Sequence, residues 1–376
     1  MKFVNFWENF LWSTKILKIE KLCATITVYG LDLKIYGGDI MNKRLIGNIE
    51  VSSVGMGCMG FSHGYGKVPE ENYAIDAIRT AYDFGCTFFD TAETYGREQF
   101  FPGHNEQLLG KAIEPFRKDV VVATKLHISS EEYFDTKDLN QIIRGHLEKS
   151  MQNLRTDYVD LYYLHRYNED IGIELVAEVM GKLIKDGLIG GWGVSQVGVD
   201  LLKKAHEVTP VSAVQNLYNI LERDCEKDVL PYCMEHNIGV VPFSPVASGF
   251  LSGKVTADTK FEGDDVRKFV PQLQKDNLIA NQPVLDILNQ YSTQKGATNA
   301  QISLAWMLKK YPNIVPIPGS KNKERILENL SAWNVELTDE EFDSLEKALD
   351  SVKVYGHRGN EESQQKSFSH NWRTNA

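Results

Sequence analysis

The sequence predicts an α/β protein, a (β/α)8 barrel built as a single domain. Short apolar runs rich in β-branched and aromatic residues are bounded by turn residues, and they alternate with segments whose apolar residues recur at helical spacing. Strands that alternate with helices form parallel sheets covered by helices. Eight such runs favour a closed barrel over an open, doubly wound sheet.

The clearest strand patterns are CTFFD (86–90), VVVATK (120–125), YVDLYYLH (158–165) and GVVPFS (239–244), and each is too short for a helix. The clearest helical patterns are EENYAIDAIRTAYDFG (70–85), LNQIIRGHLEKSMQNL (139–154), IELVAEVMGKLIKDG (173–187) and AQISLAWMLKK (300–310). The eight predicted strand centres are Val54, Phe88, Val122, Leu161, Ile189, Val214, Val241 and Val315.

Composition narrows the class of protein. Of the 376 residues, 42% are hydrophobic and 24% are charged, which is typical of a folded globular chain. The formal charge of −10 argues against nucleic-acid binding, and no apolar run is long enough to span a membrane. The five scattered cysteines indicate reduced thiols and a cytoplasmic location. We therefore expect a small-molecule substrate; the oligomeric state is left open.

Three regions are expected: an N-terminal extension (1–40), the barrel (41–356) and a flexible C-terminal tail (357–376). The extension lacks the order of a secretory signal, which begins basic and ends at a small-residue cleavage site. A short interfacial helix is one interpretation of its first residues. The other interpretation, which we favour, is that the natural chain starts at Met41.

Four ionisable residues fall at or just after strand ends, where barrel enzymes place their active sites. Asp90 ends CTFFD, Tyr95 follows in the next loop, Lys125 ends VVVATK and His165 ends YVDLYYLH. Together they suit proton transfer to a carbonyl oxygen. In this arrangement Asp90 keeps Lys125 charged, and Lys125 lowers the pKa of the Tyr95 phenol. His165 orients the carbonyl or relays the proton.

Each of the four also has an ordinary structural interpretation, because a strand-end Asp caps helices, a Tyr packs and a buried Lys forms an ion pair. Their joint position at successive strand ends favours the catalytic interpretation. Four aromatic residues are further candidates for the walls of a substrate pocket, with core packing as the alternative: Phe61, Tyr65, Trp192 and Tyr355.

The segments GCTFFDTAETYG, NEQLLGKAI, VVVATK and DLYYLH resemble the aldo-keto reductase superfamily, especially bacterial members with an LGLGCMG-like opening. The resemblance covers Met41 to about Gly356. It implies a catalytic tetrad of Asp90, Tyr95, Lys125 and His165. It also implies NADPH-dependent reduction of aldehydes or ketones to alcohols, with Tyr95 as general acid and no metal.

The same resemblance implies a cofactor site in several segments. Ser195 and Gln215 would bind the nicotinamide amide, and Phe243 would stack on the ring. The pyrophosphate loop would contain Ser244, Pro245, Val246, Gly249, Leu251 and Lys254. The adenosine segment would contain Gly319, Ser320, Lys321, Arg325, Glu328 and Asn329, although many family members have Lys at the position of Gly319. No GxGxxG fingerprint follows a strand.

The Gly-Ser turn, the helix start and two cations in PIPGSKNKERILENL independently suit a phosphate, which favours NADP over NAD. The alternative is a plain capped helix with surface charges. Two other functions stay open: an alcohol or polyol dehydrogenase running toward oxidation, and a cofactor-binding redox sensor or regulatory subunit of a channel-like partner.

Overall fold

The computed structural model describes residues 24–28, 31–35 and 41–359. The chain divides into two compact units, Met1–Ile40 and Met41–Ala376. In the first unit, strands β1 (Ala24–Val28) and β2 (Leu31–Ile35) pair antiparallel, with Val28 opposite Leu31. The stretch considered as an interfacial helix lies outside the described residues.

The second unit contains a seven-stranded parallel sheet in the order β11-β10-β9-β8-β7-β6-β5. Its strands follow the chain order without exception, as the alternating strand and helix patterns predict, and the α/β architecture is confirmed. The seven strands are β5 (Met56–Gly57), β6 (Phe88–Asp90), β7 (Val121–Leu126), β8 (Val159–Leu164), β9 (Ile189–Ser195), β10 (Ala213–Gln215) and β11 (Gly239–Val240).

The eighth predicted run, around Val315, forms no regular strand. Isolated parallel bridges nevertheless join it to both edges of the sheet, Ile314 to Val240 and Gly319 to Gly57. Pro316 and Pro318 fall inside the run, and proline has no N–H to donate to a ladder. Other backbone amides of the run still form hydrogen bonds to the sheet: the Val315 amide donates to the Val240 carbonyl at 2.8 Å.

A β-hairpin closes the amino-terminal end of the sheet. Strands β3 (Lys43–Ile46) and β4 (Ile49–Ser52) pair antiparallel. Ile46 and Val51 are buried in one apolar cluster with inward residues of the parallel strands. The remaining members of that cluster are Phe88, Ala123, Leu161, Tyr163, Ala213, Val241, Val315 and Ile317.

Twelve α-helices lie in the described part of the chain, and a larger apolar cluster fills the space between helices and sheet. They are α1 (Glu71–Asp83), α2 (His104–Ile113), α3 (Ser130–Thr136), α4 (Leu139–Leu154), α5 (Ile173–Lys185), α6 (Val199–Val208), α7 (Val229–Glu235), α8 (Lys275–Ala280), α9 (Gln282–Lys295), α10 (Asn299–Lys310), α11 (Lys323–Leu330) and α12 (Asp339–Asp350). Short 3-10 helices span Met59–Phe61, Glu114–Asp119, Asp224–Lys227, Ala247–Ser252, Val266–Phe269, Pro271–Leu273 and Ser331–Asn334. The four helical patterns noted in the sequence correspond to α1, α4, α5 and α10. None of the described helices has the length and apolar character needed to cross a membrane.

The predicted tail begins at residue 357, and hydrogen bonds hold its first two residues against the folded unit. The His357 carbonyl accepts a hydrogen bond from the Gln272 amide at 3.1 Å, and the Arg358 amide donates to Glu222 Oε1 at 2.6 Å. Arg358 Nε donates to Ser244 Oγ at 3.2 Å. The rest of the predicted tail, 360–376, lies outside the described residues.

The close packing of the sheet interior can be tested at Gly193. A Cβ added there would lie 2.4 Å from Cε1 of Tyr163 and 2.7 Å from the Ala213 carbonyl oxygen. Because both neighbours are held in the sheet, we expect Gly193→Ala to lower the free energy of unfolding by about 1–3 kcal/mol. Urea denaturation measures this change.

Gly145 supplies the matched control, since it lies inside α4 with nothing within 4 Å of an added Cβ. Gly145→Ala should raise the free energy of unfolding by about 0.5–1 kcal/mol. If Gly193→Ala leaves the unfolding midpoint unchanged or raises it, as Gly145→Ala should, the crowding assigned to Gly193 is wrong.

Candidate active site

Polar residues collect at the carboxyl ends of the strands because of strand pairing and side-chain alternation. Successive side chains of a strand point to opposite faces, so a residue two positions after an inward residue also points inward. Phe88 and Asp90 in β6, and Ala123 and Lys125 in β7, follow this pattern, with Asp90 paired beside Ala123. In β10, Gln215 follows inward Ala213 in the same way. The carboxyl end of the sheet interior is therefore polar, while its middle is apolar.

A buried ion pair joins two of the predicted catalytic residues. Lys125 is 0% exposed, and its Nζ donates to Asp90 Oδ1 at 2.5 Å and to the Thr91 carbonyl at 2.6 Å. Its third contact is the Tyr95 hydroxyl at 3.3 Å. The other oxygen of Asp90 accepts a hydrogen bond from Gln215 Nε2 at 2.8 Å. Three strands and the Tyr95 loop therefore meet at one charge pair.

The electrostatic balance keeps lysine charged and tyrosine protonated. Burial opposes the charge on Lys125, but Asp90 and Tyr95 outweigh it and hold the pKa of Lys125 above its usual value. Burial also raises the pKa of Tyr95, and the opposing pull of Lys125 and Arg166 is the smaller effect. Lys125 does lower the pKa of Tyr95, as expected, but desolvation of the phenolate outweighs this contribution, so the net pKa lies above its ordinary value.

His165 lies beside Tyr95 on the same cavity. The two rings meet edge to face, with centroids 5.7 Å apart, and the His165 amide donates to the Leu126 carbonyl at 2.8 Å. Burial, followed by the nearby cations Arg166 and Lys125, lowers the pKa of His165 well below its usual value. The imidazole is therefore neutral near pH 7.

The cavity has a volume of about 660 Å³, and it brings together most of the residues expected to bind cofactor. Of the predicted site residues, those lining it are Asp90, Tyr95, His165, Ser195, Gln215, Phe243, Ser244, Pro245, Val246, Gly249, Lys254, Gly319, Ser320, Lys321, Arg325, Glu328 and Asn329. Two predicted residues do not line it. Lys125 lies behind Tyr95, and Leu251 is 0% exposed and packs in the core.

The loop after β11 has an unusual backbone. Ser244, Ala247 and Ser248 all have positive φ, at 49°, 46° and 53°, and Gly249 follows at 101°. Left-handed conformations are costly for residues other than glycine and cluster at ligand-binding sites. The Ser244 carbonyl helps to hold this shape, since it accepts hydrogen bonds from Asn219 Nδ2 at 3.0 Å and from the Ala247 amide at 2.9 Å.

The two cations of the predicted phosphate segment differ in their surroundings. Lys321 Nζ donates to the Tyr65 and Lys67 carbonyls, both at 2.7 Å, and burial lowers the pKa of Lys321. Arg325 is exposed and has no carboxylate partner among the described residues. The helix start is capped by Asn322, whose Oδ1 accepts from the Arg325 amide at 2.9 Å. Of the two cations, Arg325 is therefore the one free to meet a phosphate.

Comparison with known proteins identifies the family. A family model described as the aldo/keto reductase family matches residues 53–350. The chain belongs to this family. It is therefore an oxidoreductase that acts on carbonyl or alcohol groups.

Individual relatives support the assignment. A probable aldo-keto reductase from Glycine max is 33% identical over 312 residues, which cover 82% of this chain and 88% of that protein. A solved glycerol dehydrogenase from Gluconobacter oxydans has a TM-score of 0.72 at 27% identity, and the match covers 82% of this chain and 95% of that chain. An aldo/keto reductase from Klebsiella pneumoniae, solved with NADP and acetate, has a TM-score of 0.65 at 25% identity, and the match covers 85% of this chain and 99% of that chain.

The sequence did not single out four arginines on the cavity of this aldo/keto reductase: Arg97, Arg166, Arg267 and Arg358. Arg166 could have been found, since it directly follows His165 at a strand end. Arg267 lies in the short 3-10 helix Val266–Phe269 and Arg358 lies beyond the last helix, and no residue pattern distinguishes either arginine as a cavity residue. Of the suggested pocket aromatics, Tyr65 lines the cavity, whereas Phe61 and Trp192 are buried in the core. Tyr355 is exposed and does not line it.

A second charged cluster holds the loop that carries Tyr95. His146 of α4 contacts Glu93 Oε2 at 2.7 Å through Nδ1 and Glu132 Oε1 at 3.0 Å through Nε2. The other oxygen of Glu93 accepts from the His127 amide at 2.7 Å, just beyond β7. Burial opposes protonation of His146, but the two carboxylates outweigh it and raise the pKa of His146 to about 9.

This pKa predicts a pH-dependent contribution to stability. The folded pKa of His146, about 9, exceeds its ordinary value of 6.5. The stabilisation is therefore complete below about pH 6.5 and lost as the pH rises through 9. We expect the destabilisation caused by His146→Gln, measured by urea denaturation, to be largest near pH 6 and to shrink toward pH 9.5.

His206 provides the control of opposite sign. Burial lowers the pKa of His206, and its Nδ1 accepts a hydrogen bond from the Val211 amide at 3.0 Å. Its contribution is present above its unfolded pKa and falls with decreasing pH, so the effect of His206→Gln should grow as the pH rises. A pH-independent effect of His146→Gln would show that the pKa of His146 is the same in the folded and unfolded protein, which contradicts the assigned upward shift.

Proposed function

We propose that this chain reduces aldehydes or ketones to alcohols with NADPH, with Tyr95 as the proton donor. The observation that carries the proposal is the contact between the Tyr95 hydroxyl and the buried Lys125 ammonium at 3.3 Å, beside a cavity that Tyr95 and His165 share. A phenol, a neutral imidazole and an ammonium at one point suit protonation of a developing alkoxide.

We also infer that the sheet belongs to a (β/α)8 barrel. The bridges from the 314–319 segment to both edge strands support closure, as does the likeness to solved family members. Closure places the strand ends in a ring, which is the position of active sites in such barrels.

The cofactor assignment draws on both the cavity and the relatives. Structures of aldo/keto reductases from Klebsiella pneumoniae were solved with NADP and with NADPH. In this chain, Phe243 offers an aromatic face, the 244–249 loop offers a backbone shaped for a ligand, and Arg325 offers an unpaired cation. These groups fit a nicotinamide, a pyrophosphate and a 2′-phosphate, respectively.

The roles of the residues follow from their charges. When bound, NADPH supplies the hydride that the carbonyl carbon accepts. Tyr95 is protonated at neutral pH because burial raises its pKa, so it can donate its proton to the carbonyl oxygen. The Lys125 ammonium stabilises the phenolate that remains, and Asp90 keeps that ammonium in place. Neutral His165 can donate a second hydrogen bond to the same oxygen.

Replacing Tyr95 tests the proton donor. We expect Tyr95→Phe to lower kcat for aldehyde reduction by about 10²- to 10⁴-fold, with little change in NADPH affinity measured by fluorescence titration. Tyr65→Phe is the matched control, because Tyr65 lines the same cavity without contacting Lys125. Full turnover by Tyr95→Phe would exclude Tyr95 as the donor.

The two cations of the adenosine segment give a sharper test of cofactor choice. Arg325→Ala should raise KM for NADPH by about tenfold and leave KM for NADH nearly unchanged, because NADH has no 2′-phosphate. Lys321→Ala should raise both values by similar factors, since Lys321 holds the Tyr65–Lys67 backbone. Equal effects of Arg325→Ala on the two cofactors would contradict a 2′-phosphate contact.

An alcohol or polyol dehydrogenase is the second candidate, and the likeness to a glycerol dehydrogenase favours it. Oxidation needs Tyr95 as the proton acceptor, and therefore as phenolate. Burial raises the pKa of Tyr95, so the rate of glycerol oxidation with NADP⁺ should increase up to strongly alkaline pH. Reduction needs protonated Tyr95, which is the form present at neutral pH. Comparison of both rates at pH 7 distinguishes the two directions.

A further inference from the structure

Arg166 is a cation at the catalytic end of the cavity with only neutral partners. Its Nη1 donates to the His165 carbonyl at 2.5 Å and to Ser195 Oγ at 3.1 Å. No carboxylate of the described residues forms an ion pair with it. Two other partly buried arginines, Arg117 and Arg223, pair with Asp160 and Glu226. Arg44 forms no ion pair with a described residue either, but both of its Nη atoms donate to backbone carbonyls. A poorly solvated cation without a counter-charge is costly, which indicates that a ligand completes this site.

The carboxylates that line the cavity are already engaged. Asp90 binds Lys125 and Gln215. Glu98 pairs with Arg97 at 2.6 Å, and Glu328 pairs with Lys254 at 3.1 Å. None of them is therefore available to neutralise Arg166.

The guanidinium groups of three arginines on the cavity form no ion pair with a carboxylate in the described part of the chain: Arg166, Arg325 and Arg358. Arg325 lies in the adenosine segment, and Arg358 contacts Ser244 of the pyrophosphate loop at 3.2 Å. Both are thus placed for the phosphates of the cofactor. Arg166 instead adjoins His165 and donates to Ser195, at the catalytic end of the cavity.

The geometry of the guanidinium indicates what it can bind. Both hydrogen bonds of Arg166 use Nη1, so the edge formed by Nε and Nη2 has no hydrogen bond to a described residue. That edge presents parallel N–H donors, which match two oxygens of a carboxylate or a phosphate. A neutral carbonyl compound would use at most one of them.

We propose that the carbonyl substrate of this enzyme carries an anionic group, a carboxylate or a phosphate, which binds the Nε/Nη2 edge of Arg166. This inference rests on the proposed reductase function, and it makes Arg166 a specificity-determining residue. The anion compensates the unpaired charge, while the hydrogen bond from Arg166 to Ser195 fixes the guanidinium beside the nicotinamide end of the site.

Matched pairs of aldehydes test the substrate class. Pentanal and 5-oxopentanoate differ by a carboxylate, and glyceraldehyde and glyceraldehyde 3-phosphate differ by a phosphate. With NADPH as reductant, the wild-type enzyme should prefer the charged member of at least one pair by about tenfold or more in kcat/KM. The pair that shows the preference identifies the anion.

Substitutions then assign the preference to Arg166. Arg166→Met should lower kcat/KM for the preferred anionic aldehyde by about 10- to 100-fold, mainly through KM, and leave its neutral partner within about twofold. Arg166→Lys keeps the charge but loses the paired donors, so its kcat/KM for the same aldehyde should lie between those of the wild-type enzyme and Arg166→Met. Arg97→Met is the matched control, because Arg97 lines the same cavity but is already paired with Glu98.

Each contrary result has a distinct meaning. If the wild-type enzyme reduces no aldehyde, the proposed reductase function fails. If it reduces neutral and anionic aldehydes equally well, the function stands and the anion site is wrong. If Arg166→Met lowers kcat for both members of a pair and shifts the pH profile, Arg166 acts on Tyr95 rather than on substrate. Turnover of the neutral aldehyde shows that each variant is folded.

Discussion

The buried charge on Lys125 constrains the structure at the carboxyl ends of the sheet strands. An ammonium taken out of water is tolerated only where partners replace its hydration, and here they come from separate parts of the chain: Asp90 of β6, the Thr91 carbonyl and the Tyr95 hydroxyl. Gln215 of β10 then occupies the second oxygen of Asp90. The pairing of the strands must therefore be correct for the charge to be stable, so fold and site depend on one interaction.

That constraint also explains how the sheet interior is divided. Toward the amino end, the hairpin residues Ile46 and Val51 pack on inward apolar side chains, and Gly193 leaves room for the Tyr163 ring. Two residues further along β6, β7 and β10, the same inward face becomes polar. The apolar part stabilises the fold, while the polar part is open to a ligand, and side-chain alternation places both on a single strand such as β7.

The sequence allowed the strand-end residues and the longest helices to be predicted, because both depend on local pattern: period two in the strands and helical spacing in α4. It did not show that Pro316 and Pro318 interrupt the last strand pairing, because only the position of the adjacent strands reveals which backbone amides must donate to the sheet. It could not show that burial outweighs Lys125 in setting the pKa of Tyr95, because desolvation depends on the tertiary environment. The partners of Lys321 are backbone carbonyls, which no residue pattern marks, and Arg358 reaches the cavity from beyond the last helix.

The charges around the cavity show a selective arrangement. Arg97, Lys254 and Arg267 each face a carboxylate, at Glu98, Glu328 and Asp265, so these parts of the wall are locally neutral. Among the described residues that line the cavity, positive charge without a carboxylate partner is confined to Lys321, which donates to backbone carbonyls, and to the guanidinium groups of Arg166, Arg325 and Arg358. Neutral walls attract no stray anion strongly, whereas an isolated arginine favours an anion at one place. Because the three arginines lie in different segments, a ligand pair that carries its anions at all three places gains most from the cavity.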